Sequence, residues 1–175
     1  MRISKPGLRA SVAAVGLLLA SLPLGLAASP SPAASTGSCN TASTRNLGLS
    51  AYPHDYGKIP LNSSSWDCWM GKGHGTTAGQ KRAVKAVQNN ILTCYSGTTA
   101  AARIRNSGGA DGVYGDGMVS AIKAFQRYQL GFTGSAIDGV YGVKTRKGMR
   151  WAHHASDGVI LVYPNGYLCT NPNRF

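Results

Sequence analysis

Asp111-Gly112-Val113-Tyr114-Gly115 recurs as Asp138-Gly139-Val140-Tyr141-Gly142, 27 residues further along the chain. Each copy stands directly before a stretch that is predicted to be a helix. A string that returns at a fixed distance indicates two copies of one supersecondary unit that pack against each other. We therefore expect a duplicated turn–helix unit, and we interpret the rest of the chain around it.

The residues of the repeat are those of a tight turn. An aspartate accepts hydrogen bonds from N–H groups ahead of it, and glycines adopt positive φ without strain. The tyrosine between the glycines is expected to fold back and fill the gap between helices. The aspartate also lies near the free N–H groups that open the next helix. Turn-forming roles are therefore predicted for Asp111, Gly112, Gly115, Asp138, Gly139 and Gly142.

Three helices are predicted around the repeat, over about residues 78–94, 117–128 and 143–153. In the first, apolar residues at helical spacing form one stripe, and Thr76 and Thr77 are suitable caps. Residues 97–110 look like a polar, Gly-rich connection. In the third helix, Gly148 is expected to let another element approach closely.

The beginning of the chain has the pattern of a secretory leader. Basic residues at positions 2, 5 and 9 precede an apolar stretch over about residues 10–26, and small residues follow it. A transmembrane anchor is the alternative, but the apolar run is short and contains Pro23 and Gly25. We predict a signal peptide over residues 1–28, a flexible spacer over 29–38 and a secreted, wall-associated protein.

The charge of the chain is strongly asymmetric. It contains 18 basic residues against 6 acidic ones, all of them Asp, for a formal net charge of +12. Removal of the leader leaves 15 basic residues and a net charge of about +9. Such a surface attracts polyanions: nucleic acid, anionic lipid or the acidic polymers of a bacterial wall. A solubilising charge without a specific partner is the alternative interpretation.

The four cysteines, an even number in an exported chain, predict two disulfides. Spacing alone allows three connectivities. Our preferred pairing is Cys68–Cys94 with Cys39–Cys169, which would tie the two ends together. A zinc site is disfavoured because the chain has no Cys-x-x-Cys pair. No metal or cofactor is expected.

The expected fold class is mainly α. A compact three-helix bundle built on the duplicated Asp-Gly turns would occupy residues 76–156. An irregular, disulfide-tethered arm would precede it over residues 39–75. A C-terminal hairpin and tail would follow over residues 157–175, where Val159-Ile160-Leu161-Val162-Tyr163 is a β-type run before a Pro-Asn-Gly turn.

Four segments in a characteristic order carry a resemblance to a known family. They read AVKAVQNNIL, DGVYG, VSAIKAFQRYQ and IDGVYGVKT, and the region of resemblance around them covers about residues 78–152. In this order they resemble the three-helix peptidoglycan-binding domain of secreted bacterial wall proteins. Val84 to Gln88, Ala124-Phe125-Gln126 and Lys144-Thr145 match its helix motifs. Asp116 and Val143 depart from it, because the family usually has proline at those positions.

The resemblance implies a secreted, non-catalytic protein that binds peptidoglycan. We expect a monomer that binds no nucleic acid and, after cleavage of the leader, no membrane. A site for wall fragments needs cations, hydrogen-bond donors and flat aromatic surfaces. For each turn tyrosine, the alternative is a buried structural role. For Arg127 and Lys144, the alternative is that the side chain is a solvated charge without a ligand. The candidate ligand contacts are Tyr114, Arg127, Tyr128, Tyr141, Lys144 and Trp151.

Two other functions compete with this prediction. A basic protein could bind anionic wall polymers, or another exported protein, through charge alone. A wall hydrolase is less favoured, because the chain has no glutamate, no Gly-x-Ser-x-Gly elbow and no metalloprotease spacing among its histidines. No catalytic residue is therefore assigned.

Overall fold

The computed structural model describes residues 37–47, 55–63, 65–164 and 166–171. The predicted signal peptide and most of the predicted spacer lie outside these residues. The described elements, in chain order, are β1 (Thr41–Asn46), β2 (Tyr56–Leu61), α1 (Ala78–Cys94), α2 (Thr99–Asn106), α3 (Asp116–Tyr128), α4 (Val143–Gly148), β3 (Trp151–Ala152), β4 (Val162–Tyr163), β5 (Gly166–Tyr167) and β6 (Cys169–Thr170), with a 3-10 turn at Gly134–Ala136.

Both copies of the repeat lead into helices. Gly115 is the N-cap of α3 and Gly142 is the N-cap of α4. Helix α1 begins where its sequence indicates, because the side chain of Thr77 accepts a hydrogen bond from the N–H of Gln80. The turn–helix duplication is therefore present as two units of unequal length.

The prediction of a mainly α three-helix bundle is wrong, and the fold is mixed α/β. The described part contains four α-helices and three two-stranded antiparallel sheets. The largest sheet lies in the segment predicted to be irregular. Its strands β1 and β2 pair from Thr41–Leu61 to Asn46–Tyr56. Ile59 on β2 is fully buried, and the hairpin packs against α1. Burial against α1 orders a segment that has little helical or alternating pattern of its own.

Helix α4 ends at Gly148, five residues before the predicted end of the third helix. Met149 is extended, with φ −84° and ψ 136°, and the chain continues into β3, which pairs with β6. A Cβ on Gly148 would lie 2.5 Å from Cδ2 of Leu130, so its bare backbone does allow a close approach, as predicted. Sheet pairing of Trp151 thus replaces the last helical turns.

Helix α2 occupies the segment predicted to be a connection. The side chain of Thr98 accepts a hydrogen bond from the N–H of Ala101, and Arg103 and Arg105 stand in the last turn. Its buried residues are two alanines and Ile104, which pack against α3. The cap, the alanines and the terminal arginines all favour a helix, but the flanking glycines favoured the prediction of a loop.

The number of disulfides is confirmed, but the preferred pairing is wrong. The bonds are Cys39–Cys68 and Cys94–Cys169. The N–H of Cys39 donates to the carbonyl of Trp69, which places Cys68 beside Cys39. Cys94 ends α1 and Cys169 lies in β6. One bond therefore closes the β1–β2 region, and the other fastens the C-terminal strands to α1.

A single hydrophobic core joins the helices to the strands. It contains Val87 and Ile91 of α1, Phe125 of α3 and Ile59 of β2, all fully buried. The segment predicted to be an irregular, disulfide-tethered arm therefore shares its core with the repeat units. The C-terminal β4–β5 hairpin forms as predicted, with Val162 paired to Tyr167.

Candidate functional site

The first repeat turn is held by a glutamine of the preceding helix. Gln88 donates to Oδ1 of Asp111 at 2.8 Å and accepts from the N–H of Gly112 at 2.9 Å. Asp111 also accepts from the N–H of Val113 at 2.9 Å. Partial burial opposes ionisation of Asp111, but these hydrogen bonds outweigh it and hold its pKa below the usual value.

The second repeat turn is held in the same way by α3. Gln126 donates to Oδ1 of Asp138 at 2.7 Å and accepts from the N–H of Gly139 at 2.9 Å. Asp138 accepts from the N–H of Val140 at 2.8 Å. The two turns are therefore one motif used twice, an Asp-Gly turn whose aspartate and glycine are bound by a buried glutamine.

The two turns are also bonded to each other through Tyr114. Its hydroxyl donates to the carbonyl of Gly139 at 2.9 Å and accepts from the N–H of Tyr141 at 3.0 Å. Both tyrosine rings are fully buried, which raises the pKa of each hydroxyl far above its usual value. Tyr114 thus fixes the relative position of the two repeat units.

Three of the six predicted ligand contacts lie in the core. Tyr114, Tyr141 and Trp151 are at most 1% exposed, so a ligand cannot reach them in this conformation. We therefore remove them from the candidate set. Packing decides their position, because large aromatic rings contribute much apolar area to a small core.

The other three predicted contacts are exposed. Tyr128 is 63% exposed at the end of α3, beside Arg127, and Lys144 lies on α4. Within the described residues, no hydrogen bond or ion pair joins these three side chains to one another. The structure therefore does not assemble them into a site. Arg146, which the sequence placed on the same basic helix, is instead buried and contacts Asp67 at 2.5 Å.

A groove of about 340 Å³ lies at a different place, between α1 and the C-terminal strands. Its size is in the range of small-ligand sites. None of its lining residues is acidic. They come from four separate stretches of the chain: Lys58 on β2; Ala86, Asn89, Asn90, Leu92 and Thr93 on α1; Ala152 and His154; Ile160 and Tyr167.

The floor of the groove is fixed by Asn90. Its amide donates to the carbonyl of Arg150 at 2.8 Å, and its Oδ1 accepts from the N–H of Ala152 at 2.8 Å. The backbone of His154 pairs with that of Tyr56 at 2.8 and 3.0 Å, which joins the far wall to β2. The groove is therefore built on rigid elements.

Sequence reasoning missed every residue of this groove. The residues come from four stretches, and none belongs to the repeat. The spacing of Asn89 and Thr93 places two polar side chains on one face of α1, which was the available signal. That signal is weak because the polar face of a helix is usually only solvated.

A polar chain joins Asp55, just before β2, and His153, just after β3, to Thr170 of β6. Nδ1 of His153 contacts Oδ1 of Asp55 at 2.5 Å, and Nε2 contacts Oγ1 of Thr170 at 2.6 Å. Asp55 and His153 are fully buried. An Asp–His–hydroxyl order is that of a nucleophilic triad, but here the imidazole has no solvent access, and the chain bridges three segments of the fold.

The burial of His153 makes stability dependent on pH. Desolvation lowers its pKa below the usual 6.5, against the opposing attraction of Asp55. The unfolded chain then binds a proton that the folded chain does not. We expect the free energy of unfolding to fall as pH drops below about 6.5, by up to about 1.4 kcal/mol per pH unit from this group.

Urea unfolding at a series of pH values measures this slope, and NMR titration of the imidazole measures the pKa itself. His154→Gln is the matched control, since His154 is only partly buried and bonds an exposed carbonyl. A measured His153 pKa above 6.5 would contradict the role given to His153. A loss of the pH dependence of stability in His154→Gln would contradict it as well.

Scans against protein-family models, curated proteins and solved structures found no match to this chain. Among the described residues, no helix is both long and apolar enough to span a bilayer. No group of three or more His, Cys or Asp side chains in that part of the chain could hold a metal ion. The assignment of function therefore depends on the geometry described above.

Proposed function

We propose that the protein is a secreted, non-catalytic protein of the bacterial cell wall that binds peptidoglycan. The observation that carries the proposal is the groove, which surrounds one space with a lysine, an imidazole, amides, a hydroxyl and an exposed tyrosine ring. The two bound Asp-Gly turns, which carry the family resemblance, support it as well. So do the two disulfides, which are typical of exported chains.

The groove suits the mixed chemistry of a wall fragment. Lys58 and His154 attract the free carboxylates of a stem peptide. The amide of Asn89 and the hydroxyl of Thr93 match its peptide groups. The ring of Tyr167, 51% exposed, offers a flat apolar face to a sugar or an alanine methyl.

Binding is favoured over catalysis because of the position of the acid–base groups. The imidazole of His153, which has the partners that a general base would need, is fully buried. A general base must come within hydrogen-bond distance of the proton that it abstracts, and the hydroxyl that His153 contacts, that of Thr170, is not among the lining residues of the groove. The groove itself has no carboxylate among its lining residues.

We predict that the protein sediments with purified peptidoglycan sacculi and that Tyr167→Ala weakens this binding by about ten-fold or more. Removal of the exposed ring deletes one wall of the groove while leaving the core unchanged. The measurement is the bound fraction across a concentration series at about 0.15 M and 0.5 M salt.

Tyr128→Ala is the matched control, since Tyr128 is another well-exposed tyrosine and lies outside the groove. If Tyr128→Ala weakens binding and Tyr167→Ala does not, the site lies at the helix ends instead. If moderate salt abolishes all binding, the protein binds anionic polymers by charge, which is the alternative function.

A further inference from the structure

Residues 69–75, which we call the strap, connect the two repeat turns. At one end, Met70 and Tyr141 exchange backbone hydrogen bonds of 2.8 and 2.9 Å. At the other, the N–H of Gly73 donates to the carbonyl of Tyr114, and the N–H of Tyr114 donates to the carbonyl of His74. The strap therefore lies across both turns on one surface.

The strap holds an exposed tryptophan on a fixed backbone. The N–H of Trp69 donates to the carbonyl of Gly37 at 3.1 Å, its carbonyl accepts from Cys39 at 2.9 Å, and the preceding Cys68 is in a disulfide. Trp69 is nevertheless 38% exposed. A tryptophan that is partly packed and partly exposed on a fixed backbone can present its ring to a ligand, as aromatic residues at binding surfaces do.

The ring of Trp69 is in contact with its neighbours on the strap. His74 meets it edge to face, with ring centroids 4.7 Å apart. A Cβ on Gly71 would lie 3.7 Å from the indole and 3.8 Å from a methyl of Val140, so the backbone of Gly71 lies between these two side chains. Gly73 has no neighbour within 4 Å of its Cβ position.

The strap carries one balanced ion pair, at Lys72. Nζ of Lys72 lies 2.6 Å from Oδ1 of Asp116, and both side chains are well exposed. The pair offers hydrogen-bond donors and acceptors at the edge of the strap without a net charge of its own. This favours a ligand that is neutral and rich in hydroxyl groups over a polyanion, in contrast to the groove around Lys58.

We propose that Trp69 is a stacking platform for an N-acetylhexosamine ring of a glycan strand, a second binding site separate from the groove. This inference rests on the proposed wall-binding function and assigns the glycan to the strap. The apolar face of the sugar lies on the indole, and Lys72 and Asp116 bond its hydroxyl or acetamido groups. A second protein chain is the alternative occupant of this surface, and in that case the free glycan tetramer would not bind.

The experiment is a titration of the full chain with the soluble tetramer of N-acetylglucosamine, followed by tryptophan fluorescence and calorimetry. The chain has three tryptophans, and Trp151 is buried while Trp66 is half-buried under Arg45. We expect a saturable change in emission for the wild type and for the control Trp66→Phe. In Trp69→Ala, the affinity measured by calorimetry should fall at least about ten-fold.

Trp69→Tyr, which keeps a flat ring, should retain binding, and circular dichroism verifies that each variant is folded. Equal affinity of Trp69→Ala and wild type would overturn the inference. Absence of wild-type binding up to about 10 mM tetramer would also overturn it. Sedimentation with sacculi distinguishes the two proposals. If the wild type binds sacculi but not the tetramer, only the strap site is refuted. If the wild type does not bind sacculi at all, the wall-binding function is refuted.

Discussion

Replacement of Gln126 by alanine is expected to lower the free energy of unfolding by about 3 kcal/mol. The side chain donates to Asp138, to the carbonyl of Val140 and to Thr145, and it accepts from the N–H of Gly139. Its loss leaves the buried N–H of Gly139 without this partner. Removal of a partner from a buried polar group costs about 1–3 kcal/mol per group.

Gln126→Glu is a sharper version of the same experiment. Glutamate keeps an oxygen for the N–H of Gly139 but replaces the amide donor with a second acceptor that faces the carboxylate of Asp138. We expect it to be at least as destabilising as alanine at pH 7. Urea unfolding followed by circular dichroism measures both variants.

Gln129→Ala is the matched control, because Gln129 is exposed at the end of the same helix. Its unfolding free energy should remain within about 0.5 kcal/mol of wild type. Gln88→Ala, in the first turn, should resemble Gln126→Ala, since Gln88 makes the equivalent bonds to Asp111 and Gly112. If Gln126→Ala and Gln129→Ala had the same free energy of unfolding, the hydrogen bonds between Gln126 and its turn would not be what stabilises the repeat.

Removal of the Cys94–Cys169 disulfide, by alanine at both positions, is expected to destabilise the protein by about 4 kcal/mol. The bond spans 75 residues, and loop closure in the unfolded chain dominates the expected cost. It also attaches β6 to the end of α1, next to the groove wall that contains Tyr167. We therefore expect binding to sacculi to weaken together with stability.

Limited proteolysis distinguishes this bond from the other one. In the Cys94→Ala/Cys169→Ala variant, new cleavage should occur in the C-terminal segment over about residues 155–171. In Cys39→Ala/Cys68→Ala, the control pair, it should occur around β1 and β2. Peptide mapping without reduction reports the pairing directly. Recovery of Cys68 linked to Cys94 would contradict the structure and restore the pairing preferred from the sequence.

Local chemistry explains what was predictable in this fold. The Asp-Gly turns and the starts of the following helices depend on neighbouring residues, because positive φ, N–H groups and caps act over a few positions. Helix α1 has a long apolar stripe, so its presence was predictable as well. The even cysteine count likewise predicted two bonds, but not which cysteines form them.

The errors occur where a distant partner decides the local structure. Trp151 belongs to a segment with helical potential, yet it pairs with Thr170 in a sheet. The β1–β2 hairpin forms against α1, and the predicted contacts Tyr114 and Tyr141 are in the core because the two turns face one another. None of these outcomes depends on nearby residues alone.

The sequence by itself determined that two identical turns each begin a helix, that four cysteines form two bonds and that the chain is strongly basic. Only the tertiary structure decided that Gln88 and Gln126 bind those turns, that the strap bonds to both of them, and that Lys58, Asn89, His154 and Tyr167 share one groove. The physical reason is distance along the chain. A turn is specified by the few residues that form it, whereas a groove is specified by the packing of segments that are far apart in sequence.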